Sequence, residues 1–293
     1  MFAVFSRLEQ KPKVERLDPA SRKTDELYTL DPPDPLKKNG SMHHYLWQAG
    51  NLLFQQMDRA EPENCPAVKD MPGSLRACKF KQLCLSCKLG VEAKDIRTNQ
   101  TVWVRWFAEY LPKFFYSRAG NSLTLLFESH YSVKAETKAN TELKPLFESM
   151  PDKESVNLIE VLYPQTGELM GAMLIDTGAT SIIPRDAISA ANTVLMYDTI
   201  NRTHVYSLDS GHEIGKVLGR FKAISPRGDR MLVENEKGEC DLYDTATLKS
   251  LRHFTFSTRL VRADFTSDGT LLVLAADQTI YQFSASEMAQ SQQ

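Results

Sequence analysis

The chain has 293 residues, which is long enough for one large domain or two ordinary domains with separate cores. It carries 35 basic and 37 acidic side chains and a formal net charge of −2, so charge predicts neither a nucleic-acid partner nor an anionic membrane partner. It has no long apolar run and its first residues lack the apolar core of a signal peptide, so we expect a cytoplasmic protein without a membrane span.

The first hundred residues are predicted to form two segments. Residues 1–40 are polar and contain LDPPDPLKKNG, which is typical of an extended, flexible segment. The stretch after Ser41, MHHYLWQAGNLLFQQMDRA, has apolar residues at spacings compatible with a helix that ends at EPENCP. Residues 41–100 are therefore predicted to hold a helix followed by a small cysteine-rich module.

Four of the five cysteines lie close together in the sequence. The pattern C-x12-C-x5-C-x2-C is formed by Cys65, Cys78, Cys84 and Cys87. Two thiolates separated by two residues can bind one metal ion, and four fit tetrahedral Zn²⁺ or an iron–sulfur cluster. The alternatives are reduced thiols, some of them buried as small apolar residues, or a redox role. His43 and His44 could also act as ligands, although adjacent histidines on a helix point in different directions.

From about residue 101 the sequence consists of short β-prone runs separated by turn residues. Segments that begin at Ala187, Ala223 and Ala263 align with offsets of 36 and 40 residues, and a fainter copy, YSRAGNSLTLLFE, aligns Ser117 with Ser225. Each unit consists of an apolar strand, a turn, a second apolar strand, a second turn and an alternating strand. A period of about 40 residues with several strands predicts propeller blades, because one small sheet cannot bury both faces alone.

Short motifs within these units resemble those of WD-repeat β-propellers. VLYPQTGE and VYSLDSGH are similar to that family's final strand, and SPRGD and TSDG are similar to its turn between second and third strands. The resemblance covers about 168–287, is weaker over 101–167 and is absent before that. No unit ends in Trp-Asp, and the Gly-His pair that usually stands near a blade start is missing.

The resemblance implies a mainly β fold of WD-like blades over 101–287, in a complete or partial ring, followed by a disordered tail at 288–293. There is room for roughly four to five blades. Closure of the ring would need degenerate blades in 101–167, a strand from the N-terminus, or another chain, and the last of these would make an oligomer.

The stretch LIDTGATSIIP contains the one motif that points to catalysis, Asp176-Thr177-Gly178. It resembles retroviral-type aspartic proteases, in which two such carboxylates from a homodimer would share a proton and activate water. A protease fold would occupy residues that already align with blades. The same residues also suit a turn, because Asp176 and Thr177 can hydrogen-bond local backbone and Gly178 tolerates positive φ. We predict a turn between the first and second strands of one blade, and no catalytic role.

The function implied is a non-catalytic scaffold that holds a protein partner on the propeller loops or central face. Two alternatives remain open at this stage. One is a zinc, iron–sulfur or redox module built on the four cysteines, and the other is a retropepsin-like protease using Asp176.

If the four cysteines bind metal, purified protein should contain about one Zn²⁺ per chain or show the colour of an iron–sulfur cluster. Cys84→Ser and Cys87→Ser should each release the metal and loosen the 61–90 segment, because metal binding and local folding are coupled. Metal analysis of wild type, both variants and the Cys240→Ser control checks this. A metal-free chain of unchanged stability would contradict the metal assignment.

Overall fold

The computed structural model describes residues 3–4, 13–17, 20–29, 46–58, 89–107, 111–178 and 184–289. Strands form most of this part of the chain, and its helices are short. The chain divides into unit 1, which is Met1–Leu111 with Gln165–Gly167, and unit 2, which is Pro112–Pro164 with Glu168–Gln293. None of the helices in the described ranges is long and apolar enough to cross a membrane.

Unit 1 contains two antiparallel sheets, named A and B. Sheet A has the order β1-β2-β3 and is formed by β1 (Ala3–Val4), β2 (Lys13–Leu17) and β3 (Thr24–Thr29). Sheet B has the order β4-β5-β6-β7 and is formed by β4 (Leu46–Ala49), β5 (Leu52–Asp58), β6 (Leu89–Asp95) and β7 (Thr101–Phe107).

The helix predicted after Ser41 is wrong over 46–58, where β4 and β5 form a hairpin. Gly50 lies in its turn with φ +60°. A glycine inside a helix costs about 1 kcal/mol, whereas the hairpin turn uses its positive φ. Sheet B continues past the predicted boundary near 101, because β7 pairs with β6.

Unit 2 contains four antiparallel sheets, named C to F, whose strands pair in sequence order. Sheet C is formed by β8 (Lys113–Ser117), β9 (Ser122–Phe127), β10 (Val156–Leu162) and β11 (Leu169–Asp176). Sheet D is formed by β12 (Pro184–Ala190), β13 (Thr193–Asp198), β14 (Arg202–Ser207) and β15 (Glu213–Leu218).

Sheet E is formed by β16 (Arg220–Ile224), β17 (Arg230–Glu234), β18 (Cys240–Asp244) and β19 (Ser250–Phe254). In the described residues, sheet F is formed by three strands, β20 (Leu260–Phe265), β21 (Leu271–Ala275) and β22 (Ile280–Phe283). The helices of unit 2 are α1 (His130–Ala139), α2 (Leu143–Ser149) and α3 (Ala285–Ala289).

The predicted fold class is confirmed: the chain is mainly β, with several antiparallel four-stranded sheets as in propeller blades. Ala187, Ala223 and Ala263 lie in β12, β16 and β20, the first strands of sheets D, E and F. The alternating segments that align in the sequence are the third strands, β14, β18 and β22. The repeat in the sequence is therefore the repeat of the sheets.

Several details of the predicted blades are wrong. The segment Asp176-Thr177-Gly178 follows β11, the last strand of sheet C, instead of joining two strands of one blade. The helices α1 and α2, which the sequence analysis did not predict, separate β9 from β10. At the other end of unit 2, α3 reaches into the predicted tail, and its Met288 is buried.

Each neighbouring pair of sheets in unit 2 encloses its own apolar core. Sheets C and D share a cluster that includes Ile159 and Val194, and sheets D and E share one that includes Val205 and Met231. Sheets E and F enclose a third cluster, in which the thiol of Cys240 is buried and its pKa raised by that burial to about 12. A sheet this small is stable only because its neighbours cover it.

The sheets approach one another closely where turns meet strands. Gly228, in the turn between β16 and β17, has φ +71° and lies against the end of sheet D. A Cβ at this position would stand 2.9 Å from Thr193 Oγ1 and closer still to Ala190 O. Gly238, in the next turn of sheet E, has φ +82° and would meet nothing within 4 Å.

These two glycines form a matched pair for a stability measurement. Gly228→Ala and Gly238→Ala should both lose about 1 kcal/mol of unfolding free energy to backbone strain, because both positions have positive φ. Gly228→Ala should lose roughly 1–3 kcal/mol more, because its methyl group would push sheets D and E apart. Chemical denaturation of both variants checks this, and equal losses would show that the sheets tolerate the separation.

Candidate functional site

Unit 2 has two ends that carry different turns. Gly120, in the turn between β8 and β9, lies against Ser189 and Ala190 at the end of β12, and Gly228 also lies against Ala190. The turns between first and second strands of these sheets therefore share one end, here called the first-turn end. Because antiparallel strands alternate in direction, the turns between second and third strands lie at the opposite end, here called the second-turn end.

Polar contacts between sheets D and E fix the second-turn end. Asp186 and Arg220 form an ion pair between the starts of β12 and β16, and the Arg220 guanidinium lies 5.4 Å from the centre of the Tyr197 ring. Asn201 Nδ2 donates to Glu236 Oε1 (3.0 Å), which joins the second–third turns of the two sheets.

Exposed apolar side chains concentrate at the second-turn end. Within the described part of unit 2, the large apolar side chains more than half exposed all lie there: Tyr131 (64%), Leu146 (56%), Ile200 (58%), Leu218 (75%), Val261 (60%) and Ile280 (69%). At the first-turn end, the exposed ones are all less than half exposed: Tyr163, Leu169 and Ile214. We call the first set of six the second-turn surface.

Ile200 and Leu218 are held in place by the backbone between them. Leu218 pairs with Arg202 at the edge of sheet D, and the Gly219 N–H donates to Asn201 O (2.8 Å). Thr203 Oγ1 donates to Gly219 O (2.8 Å) and accepts the Phe221 N–H (2.9 Å), which ties this edge to sheet E.

A buried carboxylate, Asp198, holds the backbone of the turn that contains Ile200. Its Oδ1 accepts the backbone N–H groups of Ile200 (3.0 Å) and Arg202 (2.9 Å). Its Oδ2 accepts the Nε–H of Arg202 (2.8 Å) and lies 2.9 Å from Nε2 of His204. Asp198 therefore fixes the turn that carries Ile200.

His204 extends this network across sheet D. It is buried, and its Nδ1 lies 2.9 Å from Glu213 Oε1 on β15. Both carboxylates accept from the ring only when both ring nitrogens carry a proton. The Tyr206 ring stacks beside the imidazole, and burial raises the pKa of its hydroxyl. The network joins three strands of sheet D.

The charge state of Asp198 follows from this geometry. Burial alone would raise the pKa of Asp198, but the hydrogen bonds from His204 and Arg202 outweigh it and hold the pKa below its ordinary value. The carboxylate is therefore ionised at neutral pH, and its charge is offset by the Arg202 guanidinium 2.8 Å away. The arrangement stabilises structure and leaves no open position for a substrate at Asp198.

The helical insert, residues 128–155 with α1 and α2, is the longest second–third connection in unit 2. The other sheets use the short turns 199–201, 235–239 and 276–279. The helix α1 packs on β10 and α2 on β11, with Val133, Leu143 and Phe147 buried. Tyr131 and Leu146 remain exposed, so the insert adds apolar area to the second-turn surface.

The insert is fixed at both of its ends. His130 Nδ1 lies 2.9 Å from Lys153 O, and the His130 ring packs beside Phe147. Asn140 Oδ1 accepts the backbone N–H groups of Glu142 (3.0 Å) and Leu143 (3.1 Å), which satisfies free donors at the start of α2. The insert is thus an ordered part of the surface.

Asp176 is an exposed residue at the end of β11. Its Oδ1 accepts the Gly178 N–H (2.8 Å) and the Ser155 hydroxyl (3.0 Å), and Gly178 has φ +62°. Thr177 is buried and its Oγ1 donates to Ser155 O (2.5 Å). These are the local hydrogen bonds predicted for a turn, whereas a catalytic role would need a second Asp176 from another chain.

The four predicted metal ligands, Cys65, Cys78, Cys84 and Cys87, lie outside the described residues, as do His43 and His44. Among the residues that the structure describes, no group of three or more His, Cys, Asp or Glu side chains is placed to hold a metal ion. A zinc or iron–sulfur site on the cysteines therefore stays a prediction.

Neither the second-turn surface nor the Asp198 network is predicted from the sequence above. Two signals were present. The aligned residues Ser117 and Ser189 are 72 residues apart, whereas Ser189 and Ser225 are 36 apart. The longer spacing indicates an insertion in sheet C. Asp198, Arg202 and His204 share the hairpin from β13 to β14, which places them together without any long-range contact.

Comparison with known proteins gives no family for this chain. No family model matches it, and no curated protein matches it. Among solved structures, the computationally designed protein Ika8 is similar at 13% identity and a TM-score of 0.47, covering 98% of this chain and 71% of that chain. Sqt1 of Saccharomyces cerevisiae is similar at 10% identity and a TM-score of 0.46, covering 97% of this chain and 67% of that chain.

Asp198 should make the stability of sheet D depend on acidity. Its folded pKa is lowered, so its contribution is present above the ordinary Asp pKa of about 3.9 and is lost as the pH falls through the folded pKa. At neutral pH, Asp198→Asn should lose about 3–5 kcal/mol, because it leaves Arg202 and His204 without their buried partner.

The exposed Asp176 provides the control for this measurement. Asp176→Asn keeps its turn hydrogen bonds and should cost no more than about 1 kcal/mol. Unfolding free energies of wild type and both variants, measured between pH 7 and about pH 3, check this; the acid-induced loss should be shallower in Asp198→Asn alone. Equal pH profiles for wild type and Asp198→Asn would contradict it.

Proposed function

We propose that unit 2 is a non-catalytic protein–protein interaction scaffold of WD-repeat type, and that its partner docks on the second-turn surface. The observation that carries this proposal is the concentration of exposed apolar side chains at one end of the unit. Exposed apolar groups scattered singly need no explanation, but a group confined to one end is typical of a binding site.

The surface has the composition of an interface. Its anchors are one aromatic and five aliphatic side chains, and large apolar side chains can supply most of the energy of binding when a partner buries them. Polar pairs lie between them, notably Asp186 with Arg220 and Asn201 with Glu236. Apolar anchors with polar neighbours are the arrangement expected of a surface that meets water when free and a partner when bound.

Rigidity also favours this function. Ile200 and Leu218 flank the backbone hydrogen bond from Gly219 to Asn201, and Asp198 binds the Ile200 N–H, so their backbone loses little freedom when a partner covers them. Preorganisation of this kind lowers the entropic cost of association. The helical insert of sheet C adds the exposed side chains of Tyr131 and Leu146 to the surface. The second–third connections of the other sheets of unit 2 have no such insert, so the two sides of the surface differ.

A photocrosslinking experiment tests the proposal. A benzophenone amino acid at Ile200 or Leu218 should crosslink a discrete partner in cells that express the protein, and the same group at Tyr163 or Ile214 should not. Ile200→Glu combined with Leu218→Glu should weaken partner binding at least about tenfold, which is ~1.4 kcal/mol, because it places charge against an apolar interface.

The control is Tyr163→Glu combined with Ile214→Glu, which makes the same change at the first-turn end. Both double variants should keep the wild-type melting temperature, since all four side chains are exposed. Equal crosslinking at both ends, or crosslinking from the first-turn end alone, would refute the proposed docking surface.

A further inference from the structure

The second-turn surface carries opposite net charges on its two sides. The helical insert, residues 128–155, contains six acidic and four basic side chains. The first strands β12, β16 and β20, together with the residue before β20, contain two acidic and five basic side chains. We call these five basic side chains the basic strip: Arg185, Arg220, Lys222, Arg259 and Arg262. The insert is therefore net negative, and the strip side is net positive.

The basic strip crosses three neighbouring sheets at the second-turn end. The strand β12 contacts β16, and β16 contacts β20. All three strands start at the second-turn end, because each of them leads into a first–second turn at the opposite end. Arg259 O accepts the Ala276 N–H (2.9 Å), which places Arg259 beside the second–third turn of sheet F.

Each of these first strands contains a β-bulge within the strip. One extra residue interrupts the pairing with the second strand: Arg185 in β12, Lys222 in β16 and Val261 in β20. A bulge bends its strand and re-aims a side chain, and bulges are frequent beside functional sites. The same local feature thus orients a strip residue or its apolar neighbour in sheets D, E and F.

Two members of the strip form ion pairs inside unit 2. Arg220 pairs with Asp186 of sheet D, and Lys222 Nζ lies 2.5 Å from Glu234 Oε2 on β17. These pairs hold the starts of β12 and β16 together and offset the charges of Arg220 and Lys222. Their role is structural.

The other three members of the strip present their charge to solvent. Arg185, Arg259 and Arg262 are exposed. The Arg262 side chain is 74% exposed and approaches Asp264 only to 3.9 Å. The residues of unit 2 outside the described ranges, 179–183 and 290–293, contain no charged side chain, so they do not offset these arginines.

Apolar side chains of the second-turn surface lie beside these arginines. Val261, 60% exposed, stands between Arg259 and Arg262 in the sequence. Leu218, 75% exposed, lies two residues before Arg220. A partner that covers these apolar groups also removes water from guanidinium groups, and a charge buried without a partner costs free energy. Tight binding here therefore requires carboxylates as well as apolar side chains.

Charge favours a carboxylate donor from another protein over a segment of this chain. The parts of the chain outside the described residues carry ten basic and eight acidic side chains. The longest of them, residues 59–88, carries six basic and three acidic side chains, so it has the same sign of charge as the strip. Like charges brought together would oppose its docking there.

We propose that the partner segment docked on sheets D, E and F is an acidic polypeptide segment of another protein, in which Asp or Glu side chains are interspersed with apolar ones. This inference rests on the proposed docking surface and names the chemistry of its ligand. The carboxylates pair with Arg185, Arg259 and Arg262, since guanidinium groups bind carboxylates in a bidentate geometry. The net negative insert repels such a segment, which therefore follows the strip.

Labelling of the free, full-length chain with phenylglyoxal tests whether the strip is accessible. Arg185, Arg259 and Arg262 should be modified as fast as Arg227, an exposed arginine in a first–second turn at the opposite end. Protection at every protein concentration would mean that a segment of this chain covers the strip. Protection that appears only as the concentration rises would mean that a second copy covers it, and either result would overturn the proposal.

A displayed library of random dodecapeptides, selected on the full chain, tests the ligand class. Enriched peptides should combine Asp or Glu with apolar residues, and a synthetic copy of the most enriched sequence serves to measure affinity. Arg185→Glu combined with Arg262→Glu should weaken its binding at least about tenfold, and Arg185→Gln combined with Arg262→Gln should give a smaller loss. Added NaCl should weaken wild-type binding, because salt screens exposed charges.

The matched control is Lys138→Glu combined with Lys144→Glu, which makes the same change of charge at exposed positions of the insert. This variant should change the affinity for the acidic peptide by less than about threefold. All three double variants should keep the wild-type melting temperature, since the four substituted side chains are exposed.

Failure of this proposal differs from failure of the docking surface. Absence of enriched peptides, enriched peptides without acidic residues, or equal binding by wild type and the arginine variants would overturn the acidic ligand class, while crosslinks from Ile200 and Leu218 would still support docking. Acidic peptides that depend on Arg185 and Arg262 would support the ligand class. If those crosslinks were absent as well, the docking surface would be removed and the strip would remain as an acidic-peptide site.

Discussion

Close approach of consecutive sheets at the first-turn end is the constraint on which unit 2 depends. Ser122 and Thr124 of sheet C place their hydroxyls 2.8 Å from the Ser189 hydroxyl of sheet D, and all three side chains are buried. Beside them, Gly120 lets its turn lie directly on the end of β12. Small polar residues and a missing Cβ thus set the spacing at which the apolar core between sheets C and D can close.

The second-turn end of unit 2 is held by different contacts from the first-turn end. At the second-turn end the sheets are linked by longer side chains, such as the Asp186–Arg220 pair, and by the Thr203 hydroxyl between Gly219 and Phe221. The hydrogen bonds of Gly219 and Phe221 with Thr203 fix the backbone between β15 and β16, beside the exposed Leu218.

The blade repeat was readable from sequence because it rests on local signals. Ala187, Ala223 and Ala263 recur at equivalent places in their strands, and turn residues separate each strand from the next. The hairpin at 46–58 was misread because its apolar residues fit a helical as well as a strand pattern, and only the positive φ of Gly50 decides between them. The second-turn surface was missed because exposure depends on which residues neighbouring sheets leave uncovered.

The positions where the repeat is broken carry the most information about function. Sheets with the same strand order present equivalent backbone edges to a partner. A partner can therefore distinguish one sheet from another only by the side chains and connections that differ between them. Sheet E presents the polar turn 235–239, sheet D presents Ile200 at the same place, and sheet C presents the helical insert. Within the described residues, sheet F differs by having three strands. A partner of the kind proposed would meet different side chains on sheets C, D and E at the second-turn end, and this difference would favour a single docking orientation.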